Sequence, residues 1–92
     1  MANSVIKRDY GIIHSKQVDV SGTTITNSDS GWYYALVNPN LPSDTTIIGF
    51  QVKNFDGNVI YSISSSGNII VQSPVSKTLP SNRNVIVFYI YS

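Results

Sequence analysis

The chain has 92 residues, a formal net charge of +1 and a charged fraction of 12%, which describe one small and nearly neutral domain. This balance excludes the basic surface on which nucleic-acid and anionic-membrane binding depend. The absence of cysteine excludes a disulfide framework, and a lone His14 excludes the usual zinc-ligand cluster, so we expect no metal and no cofactor. Oligomerisation is the remaining way to stabilise so small a core.

No stretch approaches the roughly 18 apolar residues of a membrane span. The first residues, MANSVIKRDYG, also lack the apolar segment of a signal peptide. We therefore expect synthesis in a cytoplasm, without secretion and without membrane insertion.

The order of residue types predicts a single all-β domain over residues 1–92. No run of ten or more residues has the apolar spacing of a helix, whereas short runs of β-branched and aromatic residues alternate with turn residues. The expected architecture is a small antiparallel β-sandwich or a jelly-roll-like head. Residues 1–10 are expected to form either an extended linker or an N-terminal strand.

The first half of the chain predicts short strands separated by polar turns. A pair of strands is expected about Gly11, the second of them alternating at Val18 and Val20, and another strand is expected in TTIT. NSDSG has the composition of a turn and is followed by the strand WYYALV. The two prolines of NPNLPSD then end that strand, because proline cannot donate to a ladder.

Residues 46–73 predict a meander whose first turn is Asp56-Gly57. This dipeptide is a strong signal for a two-residue hairpin, because a type I′ turn needs positive φ at both central positions. The hairpin would place Val52 opposite Tyr61. The residues that would then share one apolar face are Phe50, Val52, Val59, Tyr61 and Ile63.

The second turn of the meander lies in SSGN. A two-residue loop at Ser66-Gly67 would put Ile69 and Val71 on the polar face. We therefore predict a three-residue loop through Asn68, with Gly67 in the left-handed conformation.

The last predicted strand, over residues 84–91, is apolar on both sides. Val85, Val87, Tyr89 and Tyr91 alternate with Ile86, Phe88 and Ile90. Such a strand should be buried, either in the middle of a sandwich or between a sheet and a neighbouring subunit. The candidate oligomer interface consists of Ile86, Phe88, Ile90 and Tyr89.

No constellation of side chains indicates catalysis. Serine is too frequent for its proximity to His14 to be informative, no G-x-S-x-G motif is present, and the only acidic residues are five aspartates in or beside turns. We therefore expect a protein that is not an enzyme. Calcium binding by NSDSG or NFDGN is a weaker alternative, because both stretches serve well as turns.

Aromatic residues beside polar turns indicate carbohydrate binding instead. The C–H face of a sugar stacks on an aromatic ring, and its hydroxyl groups pair with amides and carboxylates. Because at least one of Trp32 and Tyr34 is expected in the core, Tyr33 is the aromatic candidate. The candidate ligand-binding residues are Asn27, Asp29, Tyr33, Asn38, Asn40, Asp44, Lys77, Asn82 and Arg83.

The order of segments over about residues 30–92 resembles a known family. SGWYYALVN, TTIIGFQVKNFDGNVIYSISSSGNIIVQS, a proline-containing loop and NVIVFYIYS are similar to the carboxyl-terminal tip domains of bacteriophage tail fibres and related receptor-binding proteins. The resemblance is one of strands and turns and includes no catalytic set.

The resemblance implies a β-sandwich-like head in the virion, usually a homotrimer at the distal end of a tail fibre, made in the cytoplasm of the host. Such a head would attach to a host surface polysaccharide or surface protein without cleaving it, and would contact other virion tail proteins. The alternative is a structural virion protein, for capsid decoration or tail assembly, whose apolar faces bind other virion subunits.

Overall fold

The computed structural model describes residues 11–92, so the linker or strand expected over residues 1–10 lies outside the described residues. The described part of the chain has nine strands and no helix, which confirms the all-β prediction. The strands are β1 (His14–Asp19), β2 (Thr24–Ile25), β3 (Asn27–Asp29), β4 (Trp32–Val37), β5 (Thr45–Lys53), β6 (Ile60–Ile63), β7 (Ile69–Ser73), β8 (Lys77–Thr78) and β9 (Asn84–Tyr91). Over residues 11–92 there is accordingly no helix that could cross a membrane.

The strands form two main antiparallel sheets. β9 lies between β1 and β5 in a three-stranded sheet, and the four-stranded sheet has the order β3-β4-β7-β6. A short third sheet pairs β2 with β8. The two main sheets contribute to one core, and the architecture is that of a small β-sandwich, as predicted.

The core is built from alternate residues of the two main sheets. Val85 and Val87 of β9 are fully buried, as are Ile69 and Val71 of β7. This alternation is the period of two expected for strands with one buried face. The buried cluster consists of Val18, Val20, Ile25, Ala35, Val59, Tyr61, Ile69, Val71, Leu79, Val85 and Val87.

The last strand lies between β1 and β5 and is buried on one face, whereas its apolar pattern predicted burial on both faces. Tyr89 points to the core side with Val87, and its ring stacks on that of His14 with the centroids 5.5 Å apart. Tyr89 is therefore wrong as a candidate interface residue. Ile86, Phe88 and Ile90 lie on the outer face of the three-stranded sheet, where each remains half-buried.

The hairpin predicted at Asp56-Gly57 is wrong, since β5 and β6 belong to different sheets. β5 pairs with β9, whereas β6 pairs with β7. A turn does form, with the Val59 amide donating to the Asp56 carbonyl oxygen at 2.9 Å, but it carries the chain from one sheet to the other. Of the residues expected to share an apolar face, four do pack in or against the core, namely Val52, Val59, Tyr61 and Ile63, whereas Phe50 pairs with the buried Val87 but is 37% exposed.

A two-residue hairpin turn occurs instead at Ser30-Gly31, inside the segment predicted to be all turn. The first three residues of that segment, NSDSG, form β3, in which Asp29 lies opposite Trp32. Ser30 and Gly31 have φ angles of 51° and 88°. Positive φ at both central positions is the requirement of a type I′ turn.

The turn between β6 and β7 has the predicted length but begins one residue earlier. The Ser64 amide donates to the Asn68 carbonyl oxygen at 2.9 Å, which leaves residues 65–67 as the three-residue loop. Gly67 has a φ of 86°, so its left-handed conformation is confirmed. Ile63 lies opposite Ile69, and the second half of the meander thus has the predicted face toward the core.

β5 is a nine-residue edge strand that contains a bulge. It pairs with β9 on one side, and its register shifts between Ile47 and Gly49. Ile48 is the extra residue, and it is 48% exposed. Bulges of this kind bend a strand and increase its twist.

An ion pair joins the β5–β6 connection to the loop before β9. Arg83 Nη2 lies 3.0 Å from Asp56 Oδ1, and both side chains are partly buried. The hydrogen bond from Arg83 holds the pKa of Asp56 below its usual value, against the opposing effect of burial. The Arg83 guanidinium, predicted to bind ligand, is thus engaged within the fold.

We expect Asp56→Asn to lower the free energy of unfolding near neutral pH and to weaken its dependence on acid. The pKa of Asp56 in the folded state lies below its unfolded value of 3.8, so the stabilisation is fully present above that value and is lost as the pH falls through the folded pKa. Urea unfolding between about pH 2 and about pH 7 would measure the change.

Asp29→Asn is the matched control for the loss of one negative charge, because Asp29 lies on the exposed strand β3, where Ser30 Oγ donates a hydrogen bond to Asp29 Oδ1 at 3.3 Å. Its unfolding curve near neutral pH should follow that of the wild type. The pKa of Asp19 is also lowered, by hydrogen bonds from Ser21, and part of the acid dependence should therefore survive in Asp56→Asn. Identical acid profiles for Asp56→Asn and the wild type would contradict the role of the ion pair.

Candidate ligand-binding face

The outer face of the four-stranded sheet exposes aromatic and apolar side chains. Along β4, Ala35 is buried and Tyr33 packs against the core, so Trp32 and Tyr34 point outward. Trp32 is 38% exposed, and Leu36 on the same side is 55% exposed. This corrects the predicted orientation, in which Tyr33 faced the ligand and at least one of Trp32 and Tyr34 was in the core.

The neighbouring strand decides the orientation of β4. The pattern of β4 is apolar on both sides and leaves its inner face undetermined. The core-facing side of β7 is better defined, because Ser73 and Val71 are buried whereas Gln72 is only half-buried. The register places Ala35 opposite Val71 and Tyr34 opposite Gln72, so the orientation of β7 is imposed on β4.

Hydrogen-bonding side chains flank the two aromatic rings. Asn27 lies opposite Tyr34 and Asp29 lies opposite Trp32 on β3, while Gln72 lies on the other side of Tyr34. The two aromatic residues are two positions apart on one strand, a separation of about 7 Å. We call this surface the binding face, and its residues are Trp32, Tyr34, Leu36, Ile60 and Ile70 with Asn27, Asp29, Ser62 and Gln72.

The binding face is a platform of sheet residues rather than a deep pocket. Because its side chains stand on paired strands, their backbone positions are fixed before a ligand arrives, which lowers the entropic cost of binding. Rings exposed on one face, with amides and a carboxylate beside them, can stack on an apolar ligand surface and hydrogen-bond to its edges. That combination suits the two kinds of surface on a sugar ring.

The predicted residues Asn38, Asn40 and Asp44 lie in the β4–β5 loop, at one end of the sandwich. Asn38 Oδ1 accepts a hydrogen bond from the Asn40 amide at 2.8 Å, and the Asp44 carbonyl oxygen accepts one from the Ser92 amide at 2.9 Å. The loop borders an open cleft of about 450 Å³, whose other wall is the 64–67 turn. These hydrogen bonds are made within the loop itself or to the end of the chain.

The predicted residues Lys77, Asn82 and Arg83 lie toward the other end of the sandwich, where β5 ends and β9 begins. Lys77 pairs with Ile25 in the short sheet, and the Asn82 carbonyl oxygen accepts a hydrogen bond from the Asn54 side chain at 2.9 Å. The predicted ligand-binding residues therefore fall in separate places. Of these residues, Asn27 and Asp29 are the ones that belong to the binding face.

The prediction missed Trp32, Tyr34 and Gln72 as members of a common surface. Gln72 was the available signal, because it is the larger of the two polar residues of β7, Gln72 and Ser73, and it lies on the outer side of that strand. Among residues 11–92, no group of three His, Cys, Asp or Glu side chains could hold a metal ion.

No family model, curated protein or solved structure matches the chain. The chemistry of the binding face is therefore the main basis for a functional proposal.

Proposed function

We propose that the protein is a non-enzymatic receptor-binding module that attaches to a host cell-surface glycan, as a tail-fibre tip domain would. The observation that carries the proposal is the pair of outward-facing rings, Trp32 and Tyr34, on a paired strand with Asn27, Asp29 and Gln72 beside them. The resemblance of residues 30–92 to tail-fibre tip domains supports the biological setting.

Each part of the binding face has a distinct role in this proposal. The exposed faces of Trp32 and Tyr34 stack on the C–H faces of successive sugar rings. Asn27 and Gln72, on either side of Tyr34, donate to and accept from sugar hydroxyl groups, and the Asp29 carboxylate accepts from a hydroxyl group beside Trp32.

The charge of the binding face favours a neutral glycan. Asp29 is its one ionisable acid, and the face includes neither lysine nor arginine. A polyanionic polysaccharide would therefore meet repulsion without a compensating cation. Binding by one copy is expected to be weak, and several copies on one virion would raise the effective affinity.

We expect Trp32→Ala and Tyr34→Ala each to weaken glycan binding about five- to hundredfold, since each removes a stacking surface worth about 1–3 kcal/mol. The measurement is a titration of soluble neutral polysaccharides, dextran and mannan among them, with anionic alginate for comparison. Retention on host cells before and after removal of surface glycans would connect the result to attachment.

Phe55→Ala is the matched control for these aromatic substitutions. Phe55 is 74% exposed and lines a cleft between β5 and β6 together with Ile60, at the edge of the binding face that is two strands away from Trp32 and Tyr34. Its removal should leave glycan binding unchanged. Folded Trp32→Ala and Tyr34→Ala variants that bind host cells as strongly as the wild type would refute the proposal.

A structural role in the virion is the second candidate, and the outer face of the three-stranded sheet is the observation that favours it. Ile86, Phe88 and Ile90 form an apolar stripe there, suited to contact with another protein subunit. Incorporation of the purified protein into tail or capsid particles, without retention on host cells, would favour this role.

A further inference from the structure

The apolar stripe, Ile86, Phe88 and Ile90, runs along the middle of the outer face of the three-stranded sheet. Polar or small residues flank it on both sides, with Gln17 and Gln51 opposite Ile86, and Ser15 and Gly49 opposite Phe88. The face is therefore apolar along its centre and neutral for most of its length.

Opposite charges stand at one end of this face, on its two edges. Asn84 of β9 pairs with Asp19 of β1 on one side and with Lys53 of β5 on the other, so the three side chains form a row across the sheet. Asp19 and Lys53 are both exposed, and the two strand spacings between them amount to about 10 Å. This row makes the two edges of the face electrostatically complementary to each other.

We propose that a second copy of the chain covers this face, related to the first by a two-fold axis that runs parallel to β9. Such an axis places the β1 edge of each copy against the β5 edge of the other. It also brings the same ends of the two β9 strands together. It therefore places Asp19 of each copy against Lys53 of the other, and the apolar stripe against itself. The proposal is independent of glycan binding, because it concerns the opposite side of the sandwich, and its dimer takes the place of the homotrimer that the family resemblance implies.

Charge complementarity selects this arrangement from the alternative face-to-face pair. A two-fold axis perpendicular to the strands would turn the second copy end over end and lay Asp19 over the far end of the same edge, near Ser15. No ion pair would form there, and charge would not fix the position of one copy relative to the other. The axis parallel to β9 forms two ion pairs by symmetry, since the contact is isologous.

The size of the face predicts a weak dimer. Eight residues of β9 span about 26 Å and three strands about 14 Å, so the covered patch is about 360 Å² on each copy, smaller than a standard specific interface. We expect a dissociation constant in the micromolar range. The two binding faces of such a dimer point in opposite directions, separated by about 30 Å across four stacked sheets.

Light scattering on a size-exclusion column, followed by sedimentation equilibrium, tests the proposal with the wild-type chain. The expected mass at about 200 μM is twice the chain mass of 10.1 kDa. Lys53→Glu turns two attractions into two repulsions and should raise the dissociation constant about tenfold or more. The double variant Asp19→Lys with Lys53→Glu restores both attractions in reversed order and should recover most of the affinity.

Two further variants keep the test interpretable. Asp19 Oδ1 accepts a hydrogen bond from the Ser21 amide at 2.9 Å, so Asp19→Lys could disturb the turn. Asp19→Asn retains an oxygen acceptor for that amide, and its dimer should be weakened several-fold without loss of fold. Lys77→Glu makes the same change in net charge away from the stripe and should leave the dissociation constant unchanged.

The proposal is overturned by a wild-type monomer at about 200 μM, by a mass of three chains, or by a Lys53→Glu effect no larger than that of Lys77→Glu. Circular dichroism of each variant shows whether the chain is still folded, so that loss of the dimer can be distinguished from unfolding. A failure here would leave the glycan-binding result untouched, because the two readouts are mass and ligand titration.

Discussion

Removal of residues 88–92 is expected to abolish folding. These residues form the end of β9, which lies between β1 and β5. Phe88 and Tyr89 pair with β1, and Phe88 to Tyr91 pair with β5. Without them, the first half of β5 and the start of β1 lose their common partner, and exposed backbone groups replace two ladders. The truncated protein should accumulate as an insoluble or unfolded chain, as judged by solubility, circular dichroism and amide dispersion in NMR spectra.

Deletion of Ser92 alone is the control for the truncation. The Ser92 amide and hydroxyl donate to the Asp44 carbonyl oxygen at 2.9 and 3.2 Å, outside the β9 ladder. We expect this shorter deletion to fold with a loss of about 1–3 kcal/mol. A cooperative unfolding transition in the chain that lacks residues 88–92 would contradict the central position of β9.

Ile69→Ala is expected to lower the free energy of unfolding by about 2–5 kcal/mol, a large fraction of the stability of a small domain. Ile69 is fully buried, lies opposite Val37 and Ile63 on its two sides, and belongs to the main core cluster. Truncation would leave a cavity between the two sheets. Urea unfolding monitored by tryptophan fluorescence would measure the difference.

Ile70→Ala is the control for this core substitution, since it changes the same residue type one position later on the same strand. Ile70 points to the binding face and is only half-buried. Its replacement should cost about 1 kcal/mol or less. Equal costs for the two substitutions, or a larger cost for Ile70→Ala, would contradict the orientation of β7 and with it the composition of the binding face.

The alternation of apolar residues predicted which side of a strand is buried, but could not predict which strand lies beside it. Val52 and Tyr61 were correctly placed on buried sides, whereas Phe50 is 37% exposed. The same pattern results whether two strands pair within one sheet or face each other across a sandwich. Pairing depends on long-range contacts with β9 and β7, and the Asp56-Gly57 signal reports only that the chain turns.

The candidate site was less predictable than the fold. β4 is apolar on both sides, so its own residues could not indicate whether Tyr33 or Tyr34 faces outward. The answer depends on register with β7, which is a property of two strands distant in sequence. Asn27 and Asp29 were identified from their residue types, but the prediction that they belong to a turn was wrong, because the reversal is completed by Ser30-Gly31 alone.

The bulge in β5 also bears on aggregation. A nine-residue edge strand presents a row of unpaired backbone groups on which another chain can assemble. The extra residue, Ile48, bends the strand and interrupts the even spacing of those groups. An incoming strand can therefore match residues 45–47 or residues 49–53 in a single register, but not both. A segment rich in isoleucine, valine and phenylalanine is thereby kept at the edge of a folded protein without offering a full-length template for fibril growth.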